Sequence, residues 1–215
     1  MFLIQDILQD KKKEKKSASP LGEDNDYMTC EWVIEYVKKC NWMIIVDETF
    51  VNDNFNLYGL SNFVEKYNSV IKFVRGQYFE YPPEMTSNQL YYEAEKLYCY
   101  IHSRFLLTYS GVRKIRKKYE QGIYGYCPRV SCKKQLLLPI GLSPVFGEQN
   151  AKTYCPCCQD LYETDTVIDG SLFGPYFPHY FIQAFRDEIV FPKAEVFHPT
   201  FAGILFEEEC PLSKE

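Results

Sequence analysis

The sequence predicts an α+β fold: an all-helical N-terminal domain followed by a four-cysteine ribbon with short strands and a C-terminal hairpin or tail. Three observations carry that expectation. Apolar residues recur at helical spacing between residues 29 and 122. Four thiols then fall in two close pairs, Cys127 with Cys132 and Cys155 with Cys158. Beyond them, residues 159–206 are rich in Phe, Tyr and Pro and lose the helical period, save for a short stretch from Pro178 to Ala184. The resulting division is 1–28 as a flexible charged arm, 29–122 as the helical domain, 123–190 as the ribbon and 191–215 as a C-terminal segment.

The composition is that of a globular chain. Of 215 residues, 46% are hydrophobic and 25% charged, enough for one good core or two small modules. With 18 Tyr and 16 Phe, cores and interfaces are expected to be built from rings. A net charge of -5 argues against a general nucleic-acid binder while leaving room for a local basic patch. The nine cysteines are odd in number, and Met1 to Gln9 is only a short apolar run carrying Asp6, so no signal peptide is read there. A reducing compartment is the expectation, with Cys30, Cys40, Cys99 and Cys210 as free thiols and the first three packed as small apolar groups. No apolar run is long enough to span a bilayer.

Within the arm, Lys11-Lys12-Lys13-Glu14-Lys15-Lys16 precedes a Ser/Pro spacer and the acidic patch Glu23-Asp24-Asn25-Asp26. The basic run reads as a nuclear localisation signal, a phosphate-binding patch or a merely solvated tail. From Thr29, a candidate N-cap, the residues Trp32, Val33, Tyr36 and Val37 form one face of a short helix. A brief apolar stretch covers 41–46. Ser61 is placed to cap a second helix in which Phe63, Val64, Tyr67, Val70, Ile71 and Val74 keep the 3.6-residue period up to Gly76. Pro82-Pro83 makes 77–88 a loop. Leu90, Tyr91, Ala94, Leu97, Tyr98, Ile101, Phe105 and Leu106 then mark a long amphipathic helix. His102 sits beside that stripe, where a partly buried, hydrogen-bonded histidine is commoner than a ligand. A last helix, Gly111 to Tyr119, gathers Arg113, Lys114, Arg116, Lys117 and Lys118. These read either as solvated charge near a helix C-terminus or as a face for phosphate or an acidic partner. The apolar segment 197–206, interrupted by Gly203, reads as a hairpin or an extended arm.

The chemistry rests on the cysteines. C-x4-C and C-x2-C separated by 22 residues suit one tetrahedral zinc ion held by Cys127, Cys132, Cys155 and Cys158. Each pair lets a tight turn bring two sulfurs to the ion, and Pro128 and Pro156 fix φ just after the first cysteine of each. The insert between the pairs forms the ribbon. Four thiolates leave no open position for water or substrate, so the zinc, one per chain, is structural and couples to folding. Cys157 lies between two ligands, and a C-x2-C turn uses positions i and i+3, so Cys157 is expected to point away, to core or surface. Glycine-rich phosphate loops, the G-x-S-x-G elbow, H-E-x-x-H and the kinase catalytic motifs are all absent, and His102, His179 and His198 are far apart in sequence. The residues favour a zinc-stabilised interaction protein over an enzyme.

These residues resemble one known family. Tyr126-Cys127-Pro-Arg-Val-Ser-Cys132, Leu138-Pro-Ile-Gly-Leu-Ser143 and Tyr154-Cys155-Pro-Cys-Cys158-Gln-Asp-Leu-Tyr162 are similar to the zinc module of the casein kinase II regulatory (beta) subunit. Asp169-Gly170, Phe173-Gly174 and Phe177-Pro178-His179 continue the likeness, and the stretches 47–60 and 118–122 fit it upstream, so it spans about 30–206. The resemblance implies a non-catalytic regulatory subunit, present in cytoplasm and nucleus. It implies a homodimer joined through the zinc ribbon, which makes 123–190 a dimerisation domain, with contacts at Pro128, Val130 and Leu161. It also implies that 191–215 docks the catalytic subunit of casein kinase II, through Phe197, Phe201, Ala202, Gly203, Ile204 and Phe206, stabilising the kinase and steering its choice of protein substrates.

Three departures accompany the likeness. The family's docking hairpin presents two aromatics flanking its glycine, where this chain has Ala202 and Ile204. That predicts a weaker kinase contact or one moved to Phe201 and Phe206. The family's dense acidic loop is replaced by 77–88, with only Glu80 and Glu84, and Ser17 and Ser19 stand in a basic context instead of a serine-acidic N-terminus. The alternative reading is a zinc-ribbon nucleic-acid-binding or transcription-associated module using the basic helix 113–118. A zinc enzyme ranks third, for want of an open coordination position.

Overall fold

Helix α1 (Glu31–Lys38) opens the residues described in the computed structural model, which are 30–194, 200–202 and 204–205. Thr29, the expected cap, lies outside them, and Cys30 takes the N-cap position. Val33 is buried beneath α1, while Trp32 and Tyr36, one turn apart, stack on its half-buried face with ring centroids 5.2 Å apart. The apolar stretch that follows is extended and carries Trp42, Met43, Ile44 and Val46 into the core. Helix α2 (Glu48–Asn52) comes next. Periodicity does not announce it, because five residues are too few to display a period.

The helix expected to start at Ser61 does not form there. Leu60–Asn62 is a 3-10 turn, and Lys66 adopts φ 49° and ψ 38°, which redirects the chain before α3 (Tyr67–Val74). The apolar period is nevertheless used, since Val64, Val70, Ile71 and Val74 are all buried. The break is secured from α4, whose buried Glu93 accepts the Glu65 N–H through Oε2 at 2.8 Å. Left-handed backbone at a lysine is unfavourable in isolation, so this tertiary bond decides a local conformation that sequence period alone misjudges.

Helix α4 (Ser87–Leu106) is the central element. Its start is a capping box: Thr86 Oγ1 accepts the Gln89 N–H at 3.3 Å, and Gln89 Oε1 accepts the Thr86 N–H at 2.8 Å. Ala94, Leu97, Cys99, Ile101, His102 and Leu106 on it are fully buried. Helix α5 (Tyr109–Glu120) follows after a sharp turn, capped by Thr108 Oγ1, which accepts the Gly111 N–H at 3.1 Å.

The ribbon contributes three antiparallel strands in the order β1 (Leu138–Ile140), β2 (Lys152–Tyr154) and β3 (Leu161–Tyr162), with Leu138 opposite Tyr154 and Tyr154 opposite Leu161. Helix α6 (Phe177–Phe185) packs on β1 and closes the core with a ring series from Phe177 through Phe181 to Phe185, at centroid spacings of 6.0 and 4.9 Å. Where β1 ends, Gly141 passes directly over the 3-10 turn Gly170–Leu172. A Cβ there would lie 1.8 Å from the Gly170 carbonyl oxygen, so only glycine permits the crossing.

Both halves share one hydrophobic core. Trp42 packs edge-on to Tyr124 and Phe173, and Tyr119 of α5 lies 5.1 Å from Phe181 of α6. At the C-terminus, β4 (Thr200–Phe201) and β5 (Ile204–Leu205) pair antiparallel, with Phe201 opposite Ile204, so of the two expected forms the segment takes the hairpin. Ala202 in its turn has φ 50°. Gly203, Phe197 and Phe206 lie outside the described residues. The α+β expectation holds, and no described helix is long and apolar enough to cross a membrane.

Candidate metal centre

Two tight turns bring the cysteines together. In the first, the Cys127 N–H donates to Gln135 O at 2.8 Å and the Gln135 N–H returns to Cys132 O at 2.9 Å, with Lys133 and Lys134 left-handed at φ 50° and 59°. In the second, the Cys155 N–H donates to Asp160 O at 3.0 Å and the Gln159 N–H to Cys155 O at 2.8 Å, with Gln159 left-handed at φ 60°. Each turn folds back just after its second cysteine, which is what points two sulfurs the same way.

The sulfurs of Cys127, Cys132, Cys155 and Cys158 all lie within 4.8 Å of one another. The Cys127 and Cys158 sulfurs are 3.8 Å apart. A tetrahedron with metal–sulfur bonds of about 2.3 Å has an edge of about 3.8 Å, so this separation suits a shared ion. It is far too long for a disulfide, whose sulfurs sit about 2.05 Å apart. Three of the thiols are buried and Cys158 is half-buried.

The donor set also asks for a cation electrostatically. Burial, then the neighbouring thiols, push the Cys132 thiol well up, and burial pushes Cys155 up to about 12. Cys158 goes the other way. Burial pushes it up, but hydrogen bonds from Tyr162 and the Asp160 backbone outweigh that and bring it down to about 7. Four thiolates this close repel one another strongly, and a divalent cation is the charge that lets all four ionise together.

A second layer orients these ligands. The Tyr162 hydroxyl lies 3.4 Å from Cys127 Sγ and 3.2 Å from Cys158 Sγ, touching one sulfur of each pair. Outside it, Arg129 of the first turn pairs with Asp160 after the second at 2.6 Å. Sequence reasoning places Tyr162 in a motif without giving it a role, although an aromatic hydroxyl four residues beyond Cys158, on the strand returning past the turn, is the available signal. Tyr162→Phe is expected to leave the fold intact and lower metal affinity about 10- to 100-fold, the usual effect of losing such a partner. Competition with a chromogenic chelator reads it directly.

Cys157, expected to point away from the cluster, is buried, but its thiol lies within hydrogen-bond reach of the Cys132 thiol, because the turn that carries Cys155 and Cys158 packs it against the other pair. Its carbonyl accepts the Ala194 N–H at 3.2 Å. Cys30, Cys40 and Cys99 are free thiols, the last fully buried, and Cys210 lies outside the described residues. The residues expected at a dimer contact flank the metal centre on its outer side. Pro128 and Val130 sit on the first turn and Leu161 just past the second, and Val130 is 93% exposed. Of the residues expected to dock a kinase, Ala202 is exposed at the hairpin turn.

The basic helix does not present its charge as a patch. Lys114 pairs with Asp47 and donates to Ile45 O at 2.9 Å, and Arg116 pairs with Glu120 at 2.8 Å and with Glu188. Lys118 donates to Asn41 O at 2.6 Å, and Arg113 to the Tyr109 hydroxyl at 2.6 Å. Most of these cations tie α5 to its own protein. His102 likewise has no part in the metal centre. Its Nε2 accepts the Ile44 N–H at 3.2 Å and its Nδ1 lies 2.7 Å from Leu172 O, which fixes the neutral tautomer with the proton on Nδ1.

A helical domain sharing its core with a four-thiol ribbon is the class of protein that fold and site define. The casein kinase II regulatory subunit family matches residues 31–205. Casein kinase II subunit beta of Schizosaccharomyces pombe is 34% identical over 183 residues, covering 83% of this chain and 78% of that protein. Casein kinase II subunit beta' of Saccharomyces cerevisiae is 34% identical over 177 residues, covering 79% and 69%, and subunit beta of Dictyostelium discoideum is 32% identical over 200 residues, covering 88% and 75%. The chain belongs to the casein kinase II regulatory subunit family, whose members are regulatory and not catalytic.

Proposed function

We propose that this chain is the regulatory subunit of a casein kinase II-like serine/threonine kinase holoenzyme. It binds one structural zinc per chain through Cys127, Cys132, Cys155 and Cys158, homodimerises through the ribbon, and docks a catalytic subunit through the hairpin. Docking stabilises the kinase and modulates its choice of protein substrates, in cytoplasm and nucleus. Residues 29–122 act as the helical body, 123–190 as the dimerisation domain and 191–215 as the docking segment.

The observation that carries this reading is the four-sulfur cluster at tetrahedral spacing beside an exposed apolar surface. Val130 at 93% exposure, Leu161 at 44% and Tyr126 at 57% surround the metal centre, a costly arrangement for a surface in water. A second copy of the same surface is the commonest way for a soluble protein to cover it. Zinc is the ion of choice for four thiolates in a closed tetrahedral shell. Once bound, it supplies the charge and the cross-link that hold the two turns together.

Co-purification with a casein kinase II catalytic subunit tests the whole reading. The expected result is a zinc-loaded dimer that binds the kinase and alters its activity, with Val130→Asp giving a zinc-loaded monomer. A well-folded zinc-loaded dimer that neither binds the kinase nor changes its activity would sink the idea.

A further inference from the structure

A run of rings crosses one face of the helical half. It passes from Tyr36 to Trp32, Phe73, Phe79 and Tyr81, with successive centroids 5.2, 5.4, 5.9 and 6.3 Å apart, and Tyr91 branches from Phe73 at 5.7 Å. Trp32, Phe73, Phe79 and Tyr91 are half-buried, and Tyr81 is 45% exposed. Rings in contact in this way, one pair stacked and the others tilted or edge-on, form a continuous apolar strip that water covers poorly.

The strip is bordered by acid. Glu31 and Glu35 of α1 and Glu80 of the 77–88 loop are exposed, and no described cation pairs with them, whereas Glu84 is held by Lys66 at 2.6 Å. The strip also accepts ammonium, since Lys39 Nζ already lies 5.6 Å from the Tyr36 ring centroid. Rings with a carboxylate border suit a partner carrying apolar side chains and several lysines, because an ammonium over a ring face gains from both.

The chain itself contains such a segment. Phe2, Leu3, Ile4, Ile7 and Leu8 precede the run of five lysines within 11–16. These residues lie outside the described part of the chain, which they join at Cys30. Cys30 stands beside the middle of the strip, its thiol donating to Phe73 O at 3.3 Å. Lys16 is fourteen residues upstream, a separation that spans up to about 45 Å extended, ample for a return path through the Ser/Pro spacer. We propose that the ring strip from Tyr36 to Tyr81 is the docking site for residues 1–16 of the same chain. This goes beyond the kinase-subunit reading and does not depend on it.

Tryptophan fluorescence gives a direct test, because Trp32 lies in the strip while Trp42 is only 5% exposed in the core. The experiment uses the full-length chain, with Trp42→Phe in the background to isolate Trp32. Acrylamide quenching of Trp32 is compared between that protein and two variants, one with Lys11, Lys12, Lys13, Lys15 and Lys16 changed to Glu, the other with Phe2, Leu3 and Ile4 changed to Ser. Docking is expected to weaken about two- to fivefold for each ammonium removed from a ring face in the first variant, and to lose its apolar contacts in the second, so quenching rises in both. It also rises in the unmutated arm as salt approaches about 1 M, where the screening length is about 3 Å. Equal quenching in all three proteins, unaffected by salt, overturns the proposal. So does protection that appears only as protein concentration increases, which would assign the strip to a second molecule. Metal content and kinase binding are unchanged in the variants if the proposal is right, so its failure is separable from failure of the kinase-subunit reading.

Discussion

Cys127→Ser is expected to unfold the ribbon and abolish the proposed dimer, not to slow a reaction. Metal binding to four thiolates contributes on the order of 10 kcal/mol to folding in small zinc modules, comparable to the whole stability of an ordinary domain. Losing one of four sulfurs from a cluster whose members lie within 4.8 Å removes most of that contribution. It also leaves the remaining thiols close together with less charge to share. The expected readouts are loss of bound zinc, a far lower unfolding temperature and a monomeric or aggregated species on sedimentation. A chelator in excess should do the same to the unaltered chain. A Cys127→Ser protein that remained a folded, zinc-bearing dimer would show that the four sulfurs are not the ligand set.

The second large effect lies at His102. Burial holds its imidazole down to about 4, reinforced by Lys118 and opposed by the bond to Leu172, against an ordinary value of 6.5. The folded protein therefore keeps His102 neutral while the unfolded chain takes up a proton. The stabilisation is complete above about pH 6.5 and is lost as pH falls towards 4, amounting to about 3 kcal/mol over that window. Protonation also turns Nε2 from acceptor into donor, facing the Ile44 N–H that it now accepts. Urea unfolding between pH 7.5 and 4.5, compared with His102→Gln, isolates the contribution, because acid release of metal affects both proteins alike. A parallel fall in the two would contradict the assignment. His102→Ala should be worse at every pH, by about 4 kcal/mol or more, since it leaves a cavity and two buried backbone groups unpaired.

How far the fold is legible in the chain depends on the range of the forces involved. The metal centre is legible because ligand spacing is a local constraint: Cys127, Cys132, Cys155 and Cys158 announce themselves without reference to the rest. Helix α4 is legible because its 20 residues are long enough to show a period. The redirection at Lys66 is not, because the bond that offsets the cost of a left-handed lysine comes from Glu93, on a different helix. The basic helix misleads for a similar reason. Lys114, Arg116 and Lys118 find partners at Asp47, Glu188 and Asn41, all distant in sequence, so a cluster of charge along the chain becomes a set of ties in space. His102 reads as buried and bonded from its place beside an apolar stripe, though nothing local names Ile44 and Leu172 as its partners.

The shared core has a consequence for how the molecule comes apart. Trp42 against Phe173, Tyr119 against Phe181 and the two bonds of His102 all bridge the change of composition near residue 122. A protease that cut the chain there would release neither half as a stable fragment, because each would expose the rings the other had covered. Nicked protein should hold together until denaturant is added and then melt in one step. Loss of metal from the ribbon would accordingly be felt in the helices, and amides of α4 should exchange with solvent only when the whole body opens.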